Sequence, residues 1–394
     1  MNKVDIAFMT DYGQSYGKGL EIKNIAIKSL EKKILGRVYL RNKSEFNDKT
    51  YSRQESVFIF GSFLFRILTA VQKYLFVSFR ARYWQELIFD FLVSIKINKT
   101  KSNNFFYGVP RLKMSFKKAK ELGFTTILHA AEMNASENIK ILNNLYGNNK
   151  KPSIWDNDLL ERSCQTYKYV DYVIAHSEES MKSYIRDGFD KSNVFITPMG
   201  FDSNIISKKN IYSREGKTKF LYVGNVTQMK GVHLILDAWD KIDSSKAELH
   251  ICGSIYEDMK ILIDEYISKY PNIYYHGYVN PSDWFKKCDV FIFPSLSEGF
   301  SRVVVEAAAS GIAVVASEVS TDKRLFNEGE NGFIIKASSS EISRKIDFLI
   351  GEFTLIKKIG MRSAEDFSSL TWASFGKKTT DILMEIITRN EKKN

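Results

Sequence analysis

The sequence predicts two α/β units with parallel sheets, and three observations lead there. Its 394 residues leave room for two or three domains at roughly 100–200 residues each. Short β-branched runs alternate with amphipathic segments along the whole length, the pattern of strand–helix–strand units rather than of segregated sheets and helices. Residues 199–217 are polar and aperiodic, which places a linker there. The boundaries that follow are a first domain over 1–200, a second over 201–375, and a terminal amphipathic helix over 376–394 packing back on the first domain.

Strands are expected at 4–10, 37–40, 125–129, 172–175 and 193–197 in the first half, and at 219–223, 247–252, 273–275, 290–294 and 312–316 in the second. No period of 20–50 residues recurs, so a solenoid is excluded. With 44% apolar and 26% charged residues the composition is that of a folded chain. Three cysteines (Cys164, Cys252, Cys288) without a C-x-x-C pair suit neither a disulfide framework nor a structural zinc site, which points to a reducing cytoplasm. The opening MNKVDIAFMTDYG reads as a first strand rather than a signal peptide.

The formal charge of +11 lies wholly in residues 1–200, while 201–394 balance. Such asymmetry suggests that the first half meets something anionic, or that a Lys/Asn-rich composition decorates a solvated surface. Residues 57–97 are unusually aromatic. Arg66 interrupts them too early for a membrane span, yet Arg66, Lys73 and Arg80 share one helical stripe with Phe63, Ile67, Val71, Tyr74 and Ser78 about a third of a turn away. Two readings stand: a helix lying in a membrane interface, or a core helix with a solvated face.

Two stretches carry chemistry. Residues 288–317 read as a buried strand, a polar turn, a helix and another buried strand, with Gly311 where a left-handed C-cap is wanted. The turn Glu298-Gly299-Phe300-Ser301 therefore offers backbone N–H groups at a helix N-terminus, an anion site suited to phosphate. Glu298 falls at a strand's carboxyl end and Glu306 lies within the following helix, where carboxylates can accept bonds from sugar hydroxyls. Residues 220–236 repeat the pattern: Gly224 ends a strand and Lys230 enters a turn, where its ammonium can neutralise a diphosphate. The first turn, Asp11-Tyr-Gly-Gln-Ser-Tyr-Gly-Lys-Gly19, fails as a P-loop and as a dinucleotide fingerprint, and reads as a flexible loop that lets a ligand approach. Asp156-Asn157-Asp158 has the D-x-D form of a metal site but opens a helix, where acids complement the dipole.

Together these residues resemble the retaining glycosyltransferases of family 4. The match runs through Gly224…Lys230-Gly231, His276-Gly277-Tyr278-Val279, Asp289-Val-Phe-Ile-Phe-Pro-Ser, Glu298-Gly-Phe-Ser-Arg-Val-Val-Val-Glu306 and Glu328-x-x-Asn331-Gly332. It covers most of 218–335 and extends weakly to 169–178 and 194–202. The resemblance implies a GT-B fold, two Rossmann-like domains facing each other across a cleft. It implies an enzyme that moves a sugar with retention from a nucleotide sugar to a hydroxyl of a saccharide acceptor, lipid-linked acceptors included, with no metal or cofactor and no nucleic acid. The setting would be surface polysaccharide synthesis, in the cytoplasm or peripheral on the inner face of the plasma membrane. By the same resemblance Glu306 holds the ribose, Glu298 the donor sugar and Lys230 the diphosphate. Backbone amides of Gly299, Phe300, Ser301 and Arg302 cradle its oxygens, Tyr278 and Val279 face the base, and Gly17 and Gly19 lie over the phosphates.

His129, which by itself reads more readily as a structural strand-end histidine, would by the resemblance be the family's cleft histidine. Asn225 stands where the family usually has Arg, so a phosphate contact is lost or passes to Arg302. Two alternatives share the fold: a degenerate partner that binds a nucleotide sugar without transfer, and a nucleotide-sugar epimerase.

Overall fold

In the computed structural model the described residues are 2–11, 18–42, 49–57, 67, 70, 80–98, 103–147, 156–213 and 215–392. They form two sheets, each wholly parallel. The first contains β1 (Lys3–Asp11), β2 (Leu35–Asn42), β3 (Gln54–Ser56), β4 (Asn103–Gly108), β5 (Thr125–Ala130), β6 (Tyr172–Ala175) and β7 (Val194–Ile196), in the order β3-β2-β1-β4-β5-β6-β7. The second contains β8 (Thr218–Val223), β9 (Ala247–Cys252), β10 (Ile273–Tyr275), β11 (Val290–Phe293), β12 (Ala313–Ser317) and β13 (Phe333–Ile335), in the order β10-β9-β8-β11-β12-β13.

Both orders reverse direction once, between β1 and β4 and between β8 and β11. In doubly wound sheets ligands bind outside the carboxyl ends of the strands at such a reversal. The sequence pattern does not predict β3, β4 or β13. The omission of β4 matters most, because it pairs with β1 and forms one side of the first reversal. Its sequence, NNFFYG, has no β-branched residue, opens on two asparagines and ends on glycine, so alternation does not announce it and only its three aromatics favour a strand.

The stretch read as a linker is pinned rather than loose. Lys209 is buried, its backbone N–H donates to the Ser310 carbonyl at 2.7 Å, and its ammonium bonds the Cys288 carbonyl beside Asp289. Asp289 also accepts from the Lys219 backbone and the Ser213 hydroxyl. Burial drives the Lys209 pKa down against the pull of Asp289, and the paired carboxylate is what makes a buried ammonium tolerable here.

The last helix, Trp372–Glu391, returns across the molecule. The crossing is marked by a bridge between Phe201 and Thr371, and by Gly200, where a Cβ would lie 2.4 Å from the Thr371 carbonyl carbon. The helix then runs along helix Lys18–Glu31, and its far end reaches the first sheet through Asn390 to Tyr172 and Arg389 to the Ser192 carbonyl. Of the aromatic region 57–97, residues 58–66, 68–69 and 71–79 lie outside the described residues, including Arg66, Lys73 and Phe63. No helix among the described residues is long and apolar enough to cross a membrane.

Gly376 sits where the terminal helix meets its neighbour, and a Cβ there would lie 2.6 Å from the Asn24 carbonyl oxygen. Glycine to alanine inside a helix ordinarily gains about 1 kcal/mol. Here overpacking of about 1–3 kcal/mol outweighs it, so Gly376→Ala is expected to lower the urea midpoint; a raised midpoint would show that the two helices part easily.

Candidate active site at the carboxyl ends of the two sheets

The second sheet contributes two strand–helix turns. After β8 the chain passes Gly224 and Asn225, and makes a short 3-10 turn over Gln228–Lys230 capped by the Thr227 hydroxyl. It enters helix Val232–Trp239 through Gly231 at φ +74°. A Cβ on Gly231 would lie 2.0 Å from the Pro294 carbonyl, so only glycine lets this turn lie against the loop that follows β11. Bonds from the Leu296 backbone and the Ser295 hydroxyl to the Met229 carbonyl hold the two turns together. Lys230 and Glu298, far apart in sequence, thereby form an ion pair with both side chains largely buried.

The second turn leads through Ser301 into helix Arg302–Ser310, whose N-terminus no side chain caps. One expectation is corrected here. The Ser301 N–H donates to the Ser320 carbonyl at 2.7 Å, so it is not available to a phosphate, and Ser301 and Phe300 are both buried. Gly299 lies against the other domain: a Cβ on it would be 2.4 Å from the Ala131 carbonyl oxygen and 2.7 Å from the Glu132 Cα. Its own carbonyl accepts from Ser177 at 2.8 Å. Arg302 and Glu306 are half-buried on the helix that follows. Desolvation raises the Glu306 pKa and Asp202 adds to it, while Arg302 opposes both.

Tyr278 is 90% exposed and Val279 half-buried, just beyond β10, where the Gly277 carbonyl accepts from Gly253 at 2.7 Å. Asn225 is half-buried, and its carbonyl accepts from the Tyr222 hydroxyl at 2.7 Å. Gly19 is buried in the first turn of helix Lys18–Glu31, and Gly17 lies outside the described residues.

His129 requires a second correction. It is fully buried near the end of β5 rather than open to the cleft. The Tyr107 hydroxyl stands 2.5 Å from its Nδ1, the Glu21 carboxylate 3.3 Å from its Nε2, and the His176 ring 4.7 Å away between centroids. Burial alone would raise the Glu21 pKa, but the His129 ring, with Arg302 and His176 further off, brings it down to about 2. Burial and His129 lower His176 to about 3, so that imidazole is neutral. Burial holds the Tyr107 pKa far above the ordinary range, so the phenol keeps its proton. Both ring nitrogens of His129 face protein, Nδ1 the Tyr107 hydroxyl and Nε2 the Glu21 carboxylate.

Between the sheets lies a cavity of about 210 Å³. Lys230, Ser297, Glu298 and Gly299 wall it from the second domain; Arg111, Glu132, Met133 and Asn138 wall it from the first. Arg111 grips Glu132 with 2.9 Å bonds to both carboxylate oxygens and also pairs with Glu86 at 3.4 Å. Sequence reasoning misses Arg111, Glu132 and Asn138, which belong to no motif; the available signal is that Glu132 follows β5 directly at its carboxyl end. Asp156, also on the wall, caps helix Asn157–Tyr167 and pairs with Arg80, as does Asp158, so the D-x-D acids are engaged in structure.

The Glu21–His129 pair sets a pH dependence. Glu21 has an ordinary pKa of 4.5 and a folded value of about 2, so its contribution is complete above the ordinary value and is lost as pH falls toward 2. Glu21→Gln is expected to cost on the order of a few kcal/mol at pH 7, since each tenfold change in proton affinity between the folded and unfolded chain is worth about 1.36 kcal/mol. The same variant is expected to flatten the acid limb of the stability curve. Parallel acid limbs for the two proteins would refute the pairing.

Residues 204–361 match the family described as glycosyl transferases group 1. The chain is 29% identical over 209 residues to the capsular polysaccharide biosynthesis glycosyltransferase CapM of Staphylococcus aureus, covering 48% of this chain and 54% of CapM. It is 25% identical over 181 residues to a D-inositol 3-phosphate glycosyltransferase of Arthrobacter sp. (strain FB24), covering 41% and 42%. The chain thus spans about half the length of such relatives. Anabaena HepE, solved with UDP-glucose, superposes with a TM-score of 0.63 at 15% identity over 97% of this chain and 99% of HepE. TarM superposes with a TM-score of 0.66 at 11% identity over 97% and 98%. The motif-bearing turns around Lys230 and Glu298 thus lie in the segment that matches the glycosyl transferases group 1, and nearly the whole chain has the GT-B fold.

Proposed function

We propose that the protein transfers a sugar, with retention, from a nucleoside diphosphate sugar to a hydroxyl of a saccharide acceptor in the assembly of a surface polysaccharide. The observation that carries this reading is the meeting of Lys230 and Glu298 at the carboxyl ends of β8 and β11, where the sheet order reverses. A diphosphate entering there exchanges Glu298 for its own oxygens on the Lys230 ammonium, and the released carboxylate is placed to accept from donor-sugar hydroxyls. Arg302 and the uncapped helix N-terminus beside it supply positive potential without a metal ion. Glu306, four residues beyond Arg302 and so on the same helix face, is the ribose ligand in this reading. The names of two relatives support the setting: CapM acts in capsular polysaccharide biosynthesis, and HepE was crystallised with UDP-glucose.

Acceptor proton transfer needs no protein base in this scheme, because the departing phosphate takes the proton on the face that the acceptor attacks. The protein's contribution is positioning and stabilisation of the leaving diphosphate. Asn225 in place of Arg favours a second reading, a partner that binds nucleotide sugar without transfer. Donor turnover separates the two.

We further propose a peripheral seat on an anionic membrane surface, with a lipid-linked acceptor. Helix Ala81–Lys96 turns both of its acids inward, Glu86 to Arg111 and Asp90 to Arg162. Trp84, Phe91 and Ile95 are left exposed along its other side. Helix Lys113–Glu121 packs beside it and carries Lys113, Lys117, Lys118 and Lys120. Basic neighbours of an apolar stripe add about 1 kcal/mol per well-placed cation at an anionic leaflet.

Nucleoside diphosphates and their sugars are expected to raise the thermal midpoint, one base above the others. Lys230→Ala is expected to lower kcat/KM about 10²–10³-fold, the scale of a lost oxyanion donor, with EDTA leaving the wild-type rate unchanged; a wild-type rate in the variant would remove Lys230 from the reaction. In flotation assays the protein is expected to rise with vesicles containing anionic phosphatidylglycerol at low salt, and much less after Phe91→Ser/Ile95→Ser. Equal flotation with neutral vesicles would refute the membrane seat.

A further inference from the structure

We infer that the cavity between the two domains is a subsite for one neutral sugar ring of the acceptor, and that Glu132 is the residue that selects it. The inference rests on the transferase reading and names a substrate class for the same cleft.

The size of the cavity is the first argument. At about 210 Å³ it falls below the roughly 300–1,000 Å³ of sites that enclose drug-sized ligands, so it suits a single ring rather than a nucleotide. Its wall has the mixed character that a pyranose needs. Met133, Leu159 and Leu160 give an apolar side for the C–H face, while Glu132 offers carboxylate oxygens beside the buried Ser297–Asn138 hydrogen bond.

Charge is the second argument. Arg82, Arg111 and Lys230 on the wall are balanced by Glu132, Asp156 and Glu298. One step outward, Arg80 is outnumbered by Glu86 and Asp158. Lys230 is held by Glu298, and Arg111 by Glu86 and Glu132. With the donor's diphosphate on Lys230, an anionic sugar would enter a neutral-to-negative enclosure whose buried cations are committed to Glu86, Glu132 and that diphosphate, at a desolvation cost that nothing returns. A neutral ring brings only hydroxyls.

Glu132 is the third. Its side chain is 41% exposed, whereas that of Arg111, which fixes it, is 10% exposed. A carboxylate has about four lone-pair sites, so one held in a two-pronged grip by a buried guanidinium keeps its orientation and can still accept from a ring hydroxyl. Gly299 lies against the Glu132 backbone and Glu298 lines the same cavity, so a ring held by Glu132 lies next to the donor carboxylate.

The test is saturation-transfer NMR on the full chain, in the presence of the nucleoside diphosphate that gives the largest thermal shift. The probes are methyl glucoside, methyl galactoside, N-acetylglucosamine, glucuronate and glucose 6-phosphate. At least one neutral sugar is expected to bind, to bind better than both anions, and to weaken at least tenfold in Glu132→Gln, with Glu132→Asp intermediate. Nucleotide affinity and hydrolysis of the donor by water are expected to stay within twofold of wild type in both variants. Tighter binding of either anion, no binding of any probe, or unchanged neutral-sugar binding in Glu132→Gln overturns the proposal. Donor hydrolysis falling in step with sugar binding also overturns it, by giving the cavity to the donor sugar. Failure of every nucleotide to bind wild type would instead overturn the transferase reading itself.

Discussion

The site depends on a contact made without side chains, the approach of the Gly299 backbone to Ala131 and Glu132. No other residue could occupy position 299 without displacing main-chain atoms of the opposite domain. That contact sets how far apart the two sheets' carboxyl ends stand, and polar links around it fix the same spacing. Ser177 bonds the Gly299 carbonyl, Ser297 bonds Asn138, and Tyr146 donates to Asp258 at 2.6 Å. Asp258 also accepts from the Gln228 backbone at 2.8 Å, at the start of the turn that presents Lys230. One carboxylate thus ties a first-domain helix to the turn of the second domain that carries Lys230. Each such bond contributes on the order of 1 kcal/mol, little enough that a ligand bridging both walls can reset them.

Ion pairing inside the cleft follows a single economy. A buried pair gains little net stability over water, but removing one partner is costly because the other is left uncompensated. Lys230 and Glu298 therefore hold each other. In the proposed reading a diphosphate would satisfy the ammonium better than one carboxylate does, and sugar hydroxyls would satisfy the carboxylate. The Arg111–Glu132–Glu86 group has no such exchange available. Its arginine is enclosed, and burial, which would lower its pKa, is overcome by two carboxylates that raise it. It behaves as fixed scaffold, with Glu132 as its one half-open face.

Legibility in the sequence tracks how local the determining physics is. The turns around Lys230 and Glu298 are readable because strand, glycine and helix signals lie within a short stretch of chain, and the structure brings those two residues together. The bonding state of a backbone amide is not readable. Ser301 donates to Ser320, a partner in another loop that no feature near position 301 announces. His129 illustrates the same limit, since its burial comes from Phe8, Tyr107, His176 and Glu21 on separate elements. The strand β4 is hidden for a different reason: in the middle of a sheet, burial on both faces allows Phe-Phe-Tyr where alternation was sought.

The unequal reach of the likenesses has a physical source. The family match is confined to 204–361, while the structural likeness to HepE and TarM extends over 97% of the chain at 15% and 11% identity. The turns of the matched segment retain recognisable residues, as the proposed diphosphate contact, which needs particular atoms at particular places, would require. The first sheet has only to remain a parallel sheet with its carboxyl ends toward the cleft, a requirement that many apolar combinations meet. Its contributions to the cavity, Arg111, Glu132 and Asn138, hang on that permissive frame and are held by their own partners. In the proposed reading the first domain can therefore change what it recognises while the second keeps its grip on the leaving group, and the matched relatives include both a capsular polysaccharide biosynthesis glycosyltransferase and a D-inositol 3-phosphate glycosyltransferase.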